Sequence, residues 1–230
     1  MGDGSCGSSV GEPPKRRGEH STMDSRIATI LGLLNETTES LARSFAVYWP
    51  ADDWNDPAER NVSIHFAHAL IASGFTAFAE ADHPDREAVQ GIDLLGLAPD
   101  NSWFLGCEFK RLFNEERLLS FSNDVQRLRS FRPRSNYDSS KYSPSFEAAA
   151  NCCRSGYGVV GGLHWVKGSD PSSRILGLWN DEDNVPSGTS YTQVLEQLRA
   201  VNAIRPEPQF VAEFPTGGRY YFLAAVFQVV

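Results

Sequence analysis

Three residues within a short stretch carry groups that together can do phosphate chemistry: Asp93, Glu108 and Lys110. They lie in "GIDLLGLAPDNSWFLGCEFK" (91–110), two apolar runs around a polar turn, each run holding an acid that an ordinary strand disfavours. The four-residue loop Pro99-Asp100-Asn101-Ser102 makes Ala98 and Trp103 the closing pair of a hairpin. Carried along antiparallel strands, that register sets Asp93 opposite Glu108, with Cβ atoms about 5 Å apart. Two like charges so placed repel, and burial opposes ionisation as well, so the pair calls for a proton or a cation. Alternation puts Lys110 on the strand face of Glu108, and Trp103, Leu105, Cys107 and Phe109 on the other. Lys110 offers one positive charge for two negative ones. The other candidate is a hard divalent ion: Mg²⁺, for which Mn²⁺ can substitute, takes oxygen ligands, commonly one or two carboxylates plus waters and substrate phosphate. The plain alternative is a surface Glu–Lys pair on an edge strand beside an Asp that serves a turn.

The elements that must position these groups follow from period and punctuation. Residues 1–22 are rich in Gly, Ser, Pro and charge without apolar periodicity, which reads as a disordered leader or a vector-derived remnant ahead of one domain over 23–230. Ile27, Ile30, Leu31, Leu34, Leu41 and Phe45 space as one or two amphipathic helices ending before Pro50. "WNDPAERNVSIHFAHALIASG" reads as a helix with Asp56 as N-cap, Pro57 at its first position and Gly74 as its stop. Strands are expected over 75–81, 91–98 and 103–110, then a helix near 115–131 with Leu118, Phe121, Val125 and Leu128 on one stripe. Beyond it the pattern predicts a short helix over 146–154, strands at "YGVVGGLHWV" and "RILGLWN", a helix at "SYTQVLEQLRAV", and a closing strand pair "PQFVAEF" with "RYYFLAAVFQVV".

Asp93, fourteen intervening residues, then Glu108-Phe109-Lys110, with a capped helix before and another helix after, resembles the PD-(D/E)XK nuclease superfamily over about 56–166. The resemblance implies an α/β fold with a restriction-endonuclease-like αβββαβ core, a mixed sheet flanked by helices, to which an α/β extension over about 169–230 is added. It further implies a magnesium-dependent endonuclease in which Asp93, Glu108 and the main-chain carbonyl of Phe109 bind metal. Lys110 would orient the attacking water or stabilise charge on the phosphate. Ile92 stands where the family pattern has proline. A metal polarises a phosphoryl oxygen and acidifies bound water, and a fixed ammonium stabilises charge that grows in the transition state.

Supporting residues have two readings each. Glu59 either completes a capping box with Asp56 or, from the face of Val62, Phe66 and Leu70, is the acidic helper the superfamily often carries on this helix. Glu80 either faces solvent or approaches the metal. Gln126 occupies the helix where some branches place a glutamine near the metal. Arg111, Arg127, Arg129 and Arg134 are the expected backbone contacts, since arginine forks match phosphate oxygens, although each could belong to a solvated face.

Charge and composition limit the class of protein. A net charge of -8 and a pI near 5.1 argue against non-specific coating of polyanions. Over 80–100 six acids stand against Arg86, whereas over 108–134 seven bases face four acids, so an acidic segment abuts a basic one. No run reaches the length of a membrane span and no secretory signal is recognisable, which predicts a cytoplasmic protein without membrane contact. Cys6, Cys107, Cys152 and Cys153 form neither a disulfide framework nor a zinc pattern. "GYGVVGG" lacks the lysine of a phosphate loop and reads as a close-packed strand, His65 and His68 as helix packing or surface, and "WNDEDNV" as a solvated turn. The expected substrate is nucleic acid, DNA first; cutting both strands of a duplex would call for a homodimer or a partner protein. The competing expectation is a nuclease-like fold kept as a binding or scaffold module.

Overall fold

The computed structural model describes residues 24–48, 59–81, 91–112, 115–131, 155–166, 174–180, 190–213 and 217–229. Residues 1–22, Asp56, Pro57, Arg134, Cys152, Cys153 and the helix expected over 146–154 lie outside them. Helices α1 (Ser25–Val47) and α2 (Glu59–Ala72) precede strands β1 (Thr76–Ala81), β2 (Ile92–Leu97) and β3 (Trp103–Arg111). Then come α3 (Glu115–Ser130), β4 (Ser155–Val166), α4 (Arg174–Asn180), α5 (Ser190–Ala200), β5 (Gln209–Glu213) and β6 (Arg219–Val229). The six strands form one mixed sheet in the order β1-β2-β3-β4-β6-β5, with β3 and β4 parallel and every other neighbouring pair antiparallel. The protein is thus α/β, with helices on both faces of the sheet.

Local signals account for the elements near the hairpin. Asp24 caps α1, accepting from the Arg26 amide at 2.9 Å. Gly74, with φ 83°, takes the left-handed turn that ends α2, and the Phe75 N–H reaches back to the Leu70 carbonyl at 2.9 Å. In the β2–β3 turn the Ala98 N–H donates to the Trp103 carbonyl, and Asp100 Oδ1 accepts from the Ser102 amide. β4 is close-packed as its glycines suggest. A Cβ on Gly156 or Gly158 would meet the Phe104 or Phe227 ring, and one on Gly162 would stand 2.1 Å from the Lys110 carbonyl oxygen.

Two cores sandwich the sheet. On one side α1 and α2 bury Leu34, Phe66 and Leu70 against Leu105, Cys107 and Phe109; Phe66 and Phe109 have ring centroids 5.5 Å apart. On the other, the α3 stripe Leu118, Phe121, Val125 and Leu128 packs with α4, α5 and β6. Each such side chain contributes about 1.5–3 kcal/mol on burial. The expected strand "RILGLWN" is instead helix α4, where Trp179 packs edge-on against Phe121 at 5.9 Å and donates its indole N–H to the Ala224 carbonyl. So short an apolar run has no period that separates strand from helix, and contact with α3 and β6 decides. Trp179, read as part of a solvated turn, is buried. No helix among the described residues is long and apolar enough to cross a membrane.

Candidate active site

The β2–β3 pairing runs Leu94↔Cys107, Leu95↔Gly106, Gly96↔Leu105 and Leu97↔Phe104, the register expected from the loop, and it ends one step short of Asp93 and Glu108. Asp93 itself departs from regular pairing. The β1–β2 register includes Ala79↔Leu94 and Ala81↔Ile92 but omits Glu80 against Asp93, and Glu80 has φ 51°. The irregularity shows in β2 as well: Ile92 packs with the α3-side core although Leu94, two residues on, packs on the α2 side. Freed from the ladder, the Asp93 carboxylate accepts the Phe109 N–H through Oδ2 at 2.7 Å. The loop register predicts Asp93 directly opposite Glu108; its carboxylate instead reaches along the edge of β3 to the Phe109 amide. A strand residue's N–H and C=O lie on the same edge, so the Phe109 carbonyl also faces β2 there.

Glu108 and Lys110 project toward α3, as alternation required, because Cys107 and Phe109 fill the α2 side. There they meet two residues of α3. Lys110 Nζ stands 3.7 Å from Glu108 Oε2 and 3.6 Å from Asp124 Oδ2. Arg127 Nε lies 3.1 Å from Glu108 Oε1, its Nη2 pairs with Asp124 Oδ1, and its Nη1 is 3.5 Å from the Gly91 carbonyl. Glu108 is 1% and Asp124 2% exposed. Glu108 Oε1 and Asp124 Oδ2 accept no hydrogen bond among the described residues: Arg127 Nε is off alignment with the first, and Lys110 Nζ is too far from the second. Burial pushes the Glu108 carboxyl up to about 8, Asp93 and Asp124 push the same way, and Arg127 and Lys110 oppose them. Burial likewise raises Asp124, against the pull of Lys110 and Arg127. Glu108, Asp124, Lys110 and Arg127 therefore share one protein-walled corner, with Asp93 near enough to act on Glu108 by its charge; among the described residues no three His, Cys, Asp or Glu side chains converge as a metal-holding group.

Other expected members fall elsewhere. Gln126 is exposed on α3 and hydrogen-bonds to Gln197 of α5, so it does not face the cluster. One helical residue turns about 100°, which separates it from Arg127. Glu59 is half-buried on α2, across the sheet from Glu108 and Lys110, and among the described residues it neither hydrogen-bonds nor pairs with them. Val62, Phe66 and Leu70 on its helix are buried against this side of the sheet, which strand alternation gives to Phe109 rather than to Glu108. Glu80 pairs at 3.6 Å with Arg60, both side chains exposed. Arg127 is drawn into the cluster rather than standing on a solvated stripe, Arg129 is exposed near the end of α3, and Arg111 is half-buried at the end of β3. His65 shares a 2.8 Å hydrogen bond with Ser40 across α1 and α2, a packing role. Sequence reasoning missed Asp124. Its signal was a carboxylate three residues after Phe121 and four before Leu128, in the middle of the buried stripe.

No family model matches the chain, and neither the curated proteins nor the solved structures yielded a match.

Proposed function

We propose that this protein is a metal-dependent nuclease with a restriction-endonuclease-like fold, hydrolysing phosphodiester bonds in DNA. The observation that carries the reading is the alignment of Asp93 with the Glu108-Phe109-Lys110 strand at the point where the β2–β3 ladder ends. The chain order α2-β1-β2-β3-α3-β4, with β4 parallel to β3, is the order the αβββαβ core requires. The oxygen donors Asp93, Glu108 and the Phe109 carbonyl are of the kind a hard divalent cation takes, and the buried Glu108 Oε1, without a hydrogen bond among the described residues, has a lone pair to give. When bound, Mg²⁺ or Mn²⁺ would acidify a water and polarise the phosphate. Lys110, held by Glu108 and Asp124, presents its ammonium to the attacking water or to the charge developing on phosphate. Arg111 and Arg129 supply backbone contacts at the ends of β3 and α3.

A scaffold reading has one observation in its favour: Arg127 and Lys110 already pair with the buried Glu108, as in a structural ion network. The two readings separate on linear, circular and single-stranded DNA and on RNA in Mg²⁺ or Mn²⁺, beside Asp93→Asn and Lys110→Ala. Cleavage that needs metal and is lost in both variants is expected. Folded protein that cuts none of these substrates would leave the scaffold reading standing.

A further inference from the structure

We propose that Arg127 competes with the divalent cation for the Glu108 carboxylate, and that Asp124 retains the guanidinium once Glu108 turns to metal. This rests on the metal site proposed above. Among the described residues Arg127 Nε makes the closest cationic approach to Glu108, 3.1 Å against 3.7 Å for Lys110 Nζ, and it does so at the oxygen that there accepts no hydrogen bond. The contact is therefore coulombic, without an aligned hydrogen bond to break. A divalent ion placed beside the same oxygen would repel a guanidinium at that distance, so both cannot keep their full interaction with Glu108.

The two bases differ in what remains to them. Lys110 is fixed on the strand two residues from Glu108, and its other partner is Asp124 at 3.6 Å. Arg127 comes from the neighbouring helix on a long side chain, and Asp124 Oδ1 and the Gly91 carbonyl hold its other two nitrogens. It can give up Glu108 and keep both contacts, with its side chain already 16% exposed at the cluster's rim. Asp124 thus acts as a positioning residue that keeps the charge near the site, where a phosphate oxygen would be its next partner. By linkage, whatever free energy the metal loses to Arg127, Arg127 loses to the metal.

The test is a calorimetric Mg²⁺ titration at pH 8.5, above the value of about 8 to which burial pushes the Glu108 carboxyl, on the native chain, Arg127→Ala and Asp93→Asn. Carbon-detected NMR of the Arg127 Nε, assigned by its loss in Arg127→Lys, follows the native protein alone and so does not depend on the variant folding. Competition predicts about tenfold tighter Mg²⁺ binding in Arg127→Ala, the scale of one released charge contact. It also predicts an Nε shift that tracks Mg²⁺ saturation and is absent in Asp93→Asn. Binding seen only in Arg127→Ala would support it more strongly still. Native binding through Asp93 with equal affinity in Arg127→Ala, or an Nε unmoved at saturation, overturns the competition and leaves the metal site standing. No binding in any form brings down both.

Discussion

Glu108 should make the protein's stability fall as the pH rises through neutrality, and Glu108→Gln should remove that fall. Its folded value of about 8 lies above the ordinary 4.5, so the folded state holds a proton that the unfolded state has released. The resulting contribution is present in full below about pH 4.5, shrinks as the pH climbs, and is gone once the pH has passed through 8. Because the side chain is 2% exposed, solvent screening does not reduce it much. At 1.36 kcal/mol per pH unit, the loss between pH 6.5 and 8.5 is about 2 kcal/mol. That window lies above the range where buried His164, held low by desolvation, takes up a proton on unfolding, and below the ionisation of Cys107, whose thiol burial pushes well up. Urea unfolding followed by tryptophan fluorescence at several pH values gives the slope directly, provided m stays constant. Gln keeps the shape of the protonated acid and cannot ionise, so its stability should be flatter by about 2 kcal/mol across the window. Parallel pH profiles for the two proteins, or native stability that rises with pH, would refute the placement of Glu108 as a buried, predominantly protonated acid.

Two further outcomes follow from the same geometry. Asp93→Ala strips the Phe109 amide of its acceptor, whereas Asp93→Asn keeps an oxygen there, so the alanine variant should be less stable than the asparagine one by about 1–2 kcal/mol in metal-free urea titrations; equal midpoints would mean that the amide does not depend on this side chain. Gly162→Ala drives a Cβ to 2.1 Å from the Lys110 carbonyl oxygen, a backbone atom that cannot step aside, and should cost about 2 kcal/mol or more and several degrees of melting temperature. An unchanged melting curve there would show that β4 and β3 have room to part.

The hairpin, its register and the sidedness of β3 were legible because they depend on local facts: a four-residue loop fixes pairing, and a period of two assigns Glu108 and Lys110 to one face. α2, α3 and the strands flanking them were legible for the same reason, as their apolar spacing is long enough to show its period. What α3 brings to the site was not. Asp124 on its apolar stripe looks anomalous in sequence, but only packing against β3 turns it into a partner for Lys110 and Arg127. Glu59 and Gln126 fail for a related cause. Each sits on the right element, yet which face of the sheet a helix covers, and which of its sides meets α5, is set by the whole arrangement of layers. The break in the β1–β2 ladder at Glu80 and Asp93 likewise shows only with the two strands side by side. The sequence by itself determined the acids, the lysine and the strands that carry them. Tertiary structure alone decided which charges meet, because ion pairs between distant residues depend on distances of a few ångströms that no spacing along the chain encodes.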